Sequence, residues 1–211
     1  MKSFLKLELS EWLFLLFGIV LQIVVYAIAG GGWLSFVSGL FGICSVVLCS
    51  QRKMSSFFFG FVQVITYTIL VMQQKLYAEA LVNVFYFVTM IIGLISWLSN
   101  YNSEESEVEA RALSAKGWII SAMAFVLCTI GSYFILRATN DTQPFMDAVS
   151  AIPAFIAQIL MITRYREQWA YWLVVNITTL IVWINVKDWC MIALYVFLII
   201  NCFYGYVKWS K

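Results

Sequence analysis

One stretch of this sequence sets indoles and an amide at helical spacing. Trp169, Trp172, Asn176, Thr179 and Trp183 follow one another at intervals of 3, 4, 3 and 4 residues, so on a helix they share one face. An indole face attracts a cationic ring by roughly 0.5–2 kcal/mol, and an amide offers a donor and an acceptor together. The stretch 79–90 repeats the theme with Glu79, Asn83, Tyr86 or Phe87, and Met90. Gln63 and Tyr67, then Asn201 and Tyr204, bring polar groups into two further apolar stretches. Such faces suit a flat, neutral or cationic heteroaromatic that carries hydroxyls. A phosphate would call for Arg, Lys or a helix N-terminus, and no basic residue lies deep in these stretches. Taken singly, each amide also reads as interhelical glue, and each Trp as part of an interfacial belt.

Other chemistries lack their residues. The chain has no His, which removes the commonest metal ligand and near-neutral base. Its five Cys lie inside apolar stretches without a C-x-x-C or Cys/His grouping, so they read as small buried or lipid-facing residues rather than disulfides or ligands. No Gly-rich nucleotide loop is present. Glu79 and Asp147 each open a helix, where an acid also suits the macrodipole, and no charge lies deeper. With no nucleophile or acid/base pair in reach, we expect no enzyme, no cofactor and no metal. The basic residues are scattered through short loops, so no nucleic acid is expected.

The elements that must position these side chains follow from composition. The 211 residues are 63% hydrophobic and 11% charged, with a mean hydropathy of +0.89. That is under half the roughly 25% charge of a soluble domain. Eight apolar runs are legible, at 12–30, 33–50, 55–73, 77–98, 117–136, 145–163, 168–186 and 189–207. Each approaches the ~20 residues that span a bilayer as a helix, and their unbroken apolarity excludes an alternating barrel strand. The expected fold is therefore an all-α polytopic membrane protein of eight transmembrane helices.

Lys and Arg divide ten against three between alternate sides, which places both termini in the cytoplasm by the positive-inside rule. Lys2 and Lys6, an apolar run and Ala27-Ile28-Ala29 imitate a signal peptide. Glu8 and Glu11 oppose that reading, and 1–32 is taken as an uncleaved extra helix. The acidic segment 99–116, with Glu104, Glu105, Glu107 and Glu109, reads as a solvated flexible connector on the cytoplasmic side.

Residues 38–97, moved by 112 positions, fall on 150–209 without a gap. Arg52 meets Arg164, Lys75 meets Lys187, Thr66 meets Thr178, Gly93 meets Gly205 and Trp97 meets Trp209. Four crossings separate equivalent helices, so the two triplets face the same way, as in SWEET-type transporters. The expected organisation is a first three-helix bundle at 33–98, a linker helix at 117–136, and a second bundle with the C-terminus at 137–211. Together these make a 3+1+3 core, and the substrate would sit where the bundles meet.

The run Arg164-Tyr165-Arg166-Glu167-Gln168-Trp169-Ala170-Tyr171-Trp172-Leu173-Val174-Val175-Asn176 resembles the E-x-W-x-x-W-x-x-x-N pattern of the PnuC nicotinamide riboside transporters. Lys75-Leu76-Tyr77-Ala78-Glu79, Asn83-Val84-Phe85-Tyr86-Phe87, Gly93 to Trp97 and Phe145-Met146-Asp147-Ala148 resemble further segments of that family, over about residues 35–209. Gly93 departs from the pattern in being followed by Leu94-Ile95-Ser96, where relatives often carry aromatics. The resemblance implies a substrate site made by Trp169, Trp172 and Asn176, joined by Asn83, Tyr86 and Asn201. Glu79, Gln63 and Tyr204 complete the candidate set. It also implies import of nicotinamide riboside across the bacterial inner membrane by facilitated diffusion, trapping by a cytoplasmic riboside kinase, and a homotrimer. Thiamine and other vitamins carried on the same scaffold remain open as substrates. A membrane enzyme or non-transporting scaffold is the rival from another class.

Overall fold

Backbone N–H and C=O groups in hydrocarbon have only protein to bond, so an apolar run long enough to cross must satisfy itself as a helix. The computed structural model, which describes residues 7–138 and 144–210, is built almost wholly on that rule. Its helices are α1 (Leu9–Ala29), α2 (Trp33–Ser50), α3 (Ser55–Gln73), α4 (Tyr77–Leu98), α5 (Ala115–Ala138), α6 (Pro144–Ile162), α7 (Gln168–Val186) and α8 (Trp189–Lys208). All eight are long and apolar enough to span a membrane. The chain is a multi-pass helical membrane protein. The sequence boundaries hold to within about three residues, α1 and α5 differing most because polar flanking residues continue the hydrogen-bonded spiral.

Turns between the helices are tight and use left-handed residues. Arg52 (φ 56°), Lys75 (φ 60°), Arg164 (φ 67°) and Lys187 (φ 61°) each close one, and they are spaced 112 apart in pairs. Asp188 caps α8 by accepting from the Met191 N–H at 3.1 Å, and its other oxygen accepts from the Ser35 hydroxyl on α2.

Helices α2, α3 and α4 pack consecutively, as do α6, α7 and α8. The two groups meet through α2 against α8 and α4 against α6, while α1 lies across α2 and α8. Glu11 on α1, only 2% exposed, is neutralised by Lys208 of α8 at 2.7 Å. Helix α5 packs on α6 and buries none of its residues.

Between the groups two indoles cross. Trp97 at the end of α4 donates Nε1–H to the Met161 carbonyl of α6, and Trp209 after α8 donates to the Cys49 carbonyl of α2, each at 3.1 Å. Deeper in, Gln158 donates to Thr89 Oγ1 at 2.9 Å, and Asn201 donates to the Val46 carbonyl at 3.5 Å. Within each of these two sets of bonds, donors and acceptors again stand 112 residues apart or exchange places under that shift.

The segment after α4 corrects the expectation of a flexible connector. It forms a short antiparallel hairpin, β1 (Tyr101–Asn102) with β2 (Glu107–Val108), and then runs across the ends of both helix groups. Glu107 bonds Arg52 at 2.6 Å and Lys53 at 3.1 Å. The Val108 N–H donates to the Arg52 carbonyl at 3.0 Å, and the Arg111 N–H donates to the Arg164 carbonyl at 2.8 Å. The Leu113 N–H donates to Glu167 Oε2 at 2.9 Å. One of the acids read as solvating, Glu107, is held by two basic turn residues, and with the main-chain bonds this orders the segment, while Glu104, Glu105 and Glu109 stay exposed.

Lys53 is 3% exposed, so its charge depends on Glu107. Glu107→Gln is expected to destabilise the detergent-purified protein by about 1–3 kcal/mol, read as a lowered melting temperature. Glu104→Gln, at an exposed position, is expected to leave it unchanged.

Candidate functional site

The two helix groups do not close on each other completely. Between them lies a chamber of about 160 Å³, smaller than the ~300–1,000 Å³ of most small-molecule sites.

Helix α7 supplies one wall because its indole and amide stripe turns inward: Trp169, Trp172, Asn176 and Thr179 all line the chamber. Trp183, the last of the stripe, is fully buried beyond it and donates to the Tyr67 hydroxyl at 3.1 Å. Burial of Trp169 and Trp183 removes the interfacial-belt reading for both. The facing wall is α4, with Glu79, Asn83, Tyr86 and Met90. The Tyr86 ring meets Trp172 edge-on at 5.6 Å, so the two walls touch through aromatics. Asn83 donates to the Glu79 carbonyl at 2.8 Å, and Asn176 donates to the Cys202 sulfur at 3.3 Å. Each amide thus spends a donor on protein and keeps its carbonyl oxygen for other use.

At the end nearer the hairpin the floor is aromatic. Gly205 lies so close to Trp169 that a Cβ there would stand 2.5 Å from the indole Cε2, and Trp209 meets the same indole edge-on at 6.2 Å. The Trp169 Nε1–H finds no partner although it is buried. A donor left dry in an apolar wall costs about 1–3 kcal/mol, which a ligand acceptor would recover.

Of the nine nominated residues, Trp169, Trp172, Asn176, Asn83, Tyr86, Glu79 and Gln63 come together around this one space. Asn201 and Tyr204 do not. Asn201 lies about one turn beyond the lining residues of α8, its amide bonded to the Val46 carbonyl of α2. Tyr204 faces α1, where its hydroxyl accepts from Gln51 at 2.8 Å and its ring lies 4.9 Å from Phe14. The reason is local: on α8 the lining residues are Leu194, Tyr195 and Leu198, about one turn nearer the opposite end. Sequence reasoning passed over Gln158 and Tyr195, which also line the chamber. Gln158, a lone amide in an otherwise apolar run, carried the same signal as Asn83.

Glu79 is the one charged residue among the described residues lining the chamber, and none of them is basic. Fold and chamber together define a polytopic membrane protein with a weakly acidic, aromatic chamber between its two helix groups. The family model described as nicotinamide mononucleotide transporter matches residues 32–211. The chain is 33% identical to the nicotinamide riboside transporter PnuC of Neisseria mucosa, covering 96% of this chain and 80% of that one. It is 34% identical to the protein of the same name from Haemophilus influenzae, covering 92% and 86%. A crystal structure of the vitamin B3 transporter PnuC superposes with a TM-score of 0.86 at 32% identity, over 98% of this chain and 92% of that one. This chain belongs to that family of membrane transporters.

Gly205→Ala is expected to push the Trp169 indole off its seat at a cost of about 1–3 kcal/mol. The readouts are a lower melting temperature and a shifted tryptophan emission. The same change at Gly131, which has no neighbouring atom within 4 Å, is expected to be silent.

Proposed function

We propose that the chain imports nicotinamide riboside, held at the bundle interface between Trp172, Tyr86 and the amides of Asn176 and Asn83, with Trp169 below. The observation that carries this reading is the lining itself. Aromatic edges and faces meet from two helix groups, amide oxygens remain available, and a lone carboxylate, Glu79, is the only charge among the described lining residues. A pyridinium ring is flat and cationic, so the indole face and the carboxylate both favour it. The ribose hydroxyls match the amide oxygens. The curated relatives named above are nicotinamide riboside transporters, which supports the same solute.

The family description names the mononucleotide instead. A phosphate dianion in this chamber would meet Glu79 and no Lys or Arg, and burying it unpaired would cost several kcal/mol. The riboside is the better fit.

Translocation on this reading is facilitated diffusion. Bundles α2–α4 and α6–α8 act as two like-oriented repeats about the chamber, with α1 as an added helix and α5 as the link, in a SWEET-like 3+1+3 core. The paired left-handed turns and crossed indoles, each related by the 112-residue shift, support that arrangement. Both termini and the hairpin lie in the cytoplasm, where the positive charges of the chain concentrate. A riboside kinase there traps the solute by adding the phosphate the chamber rejects. A homotrimer completes the proposal.

Proteoliposomes without ATP or an ion gradient are expected to equilibrate labelled nicotinamide riboside and to exclude the mononucleotide. Trp172→Ala is expected to lower uptake at least tenfold. Tight thiamine binding with no response to the riboside would overturn the choice of solute. Loss-free uptake by Trp172→Ala would overturn the site.

A further inference from the structure

Far from the tryptophan floor, three side chains form a buried hydrogen-bonded set. Trp183 Nε1–H donates to the Tyr67 hydroxyl at 3.1 Å, and the hydroxyls of Tyr195 and Tyr67 are 2.9 Å apart. Tyr67 and Tyr195 line the chamber, whereas Trp183 stands behind them, fully buried. The three groups own three polar hydrogens between them. An indole N–H can only donate, so its hydrogen is spent on Tyr67. The contact between the two hydroxyls spends one more, whichever tyrosine gives it. One phenolic hydrogen is therefore left over in either arrangement, and the conclusion does not depend on how hydroxyl hydrogens are placed.

If Tyr195 donates, the spare hydrogen sits on Tyr67, whose oxygen already accepts two bonds. In the reverse arrangement it sits on Tyr195. Among the described residues none offers that hydrogen an acceptor at hydrogen-bonding distance. Behind Tyr67 is packed apolar core, including Leu70 and Val71; in front is the chamber. The same level of the chamber carries Asn83 and Thr179, which correspond to Tyr195 and Tyr67 under the 112-residue shift and also line it. The amide and indole stripe of α7 shares this ring of polar groups.

We infer that Tyr67 and Tyr195, braced by Trp183, present one phenolic O–H to the chamber, where it reads an acceptor oxygen on the solute. The set is a specificity determinant: it favours a ligand with a hydroxyl, ether or carbonyl oxygen at that level, and it penalises one that brings a donor only or bare hydrocarbon. Trp183 is a positioning residue, because its N–H fills one lone pair of Tyr67 and so fixes where the remaining hydrogen can point. This inference rests on the transport reading above, and the test separates the two.

Affinity is measured on the full chain in detergent, for nicotinamide riboside and for analogues that each lack one hydroxyl or carbonyl oxygen. Tyr195→Phe leaves the Trp183–Tyr67 bond and one phenolic O–H, on Tyr67, and is expected to weaken riboside binding by less than the double variant does. The double variant Tyr67→Phe/Tyr195→Phe has no phenolic hydrogen and is expected to bind the riboside about tenfold more weakly. One analogue, lacking the oxygen that is read, should lose a similar factor on the unsubstituted protein and nothing further on the double variant. Equal losses for every analogue on the double variant would mean a structural role and overturn the inference. So would an unsubstituted protein that binds every analogue as tightly as the parent, a measurement that needs no variant to fold. Failure of the unsubstituted protein to bind the riboside at all overturns the transport reading, and this inference falls with it.

Discussion

The cost of an unpaired polar group away from water governs this molecule at every scale. It makes the eight apolar runs helices, because in lipid each must close its own backbone bonds. It also explains why buried side-chain donors reach for main-chain carbonyls of another helix, as Trp97, Trp209 and Asn201 do. The cost is not met everywhere: Gln22 and Gln168 are buried with side-chain amides that find no partner. The unpartnered Trp169 N–H and the spare phenolic hydrogen of the Tyr67 set both lie on the chamber wall.

The chamber is lopsided although its frame is regular. Where α7 carries Trp169, Trp172 and Asn176, the residues 112 positions earlier on α3 are Phe57, Gly60 and Val64. All six line the same space. The indoles are concentrated on α7, and the matching positions of α3 are smooth and short. Gly60 leaves room that Met90 fills, its terminal carbon lying 2.6 Å from where a Cβ would stand.

Much of this was legible in the residues. Hydropathy located every helix, since lipid imposes one period and one length on all of them. The 3, 4, 3, 4 spacing on α7 named a face before its surroundings were known, and four of its five members do line the chamber. What periodicity cannot give is height. Asn201 lies on the inward side of α8 but a turn beyond Leu198, where its amide is taken by α2, and Tyr204 turns toward α1, a helix whose packing no spacing rule specifies. The hairpin was misread for a related reason. Four glutamates look like a solvated run until the partners of Glu107, Arg52 and Lys53, arrive from a loop more than fifty residues earlier. Long-range pairing of charge leaves no local signature.

The crossed indoles have a mechanical corollary. Each bundle both gives and receives one of these bonds, so a tilt of either strips both N–H groups of their acceptors together. Separating the bundles at that end therefore costs two buried hydrogen bonds rather than one.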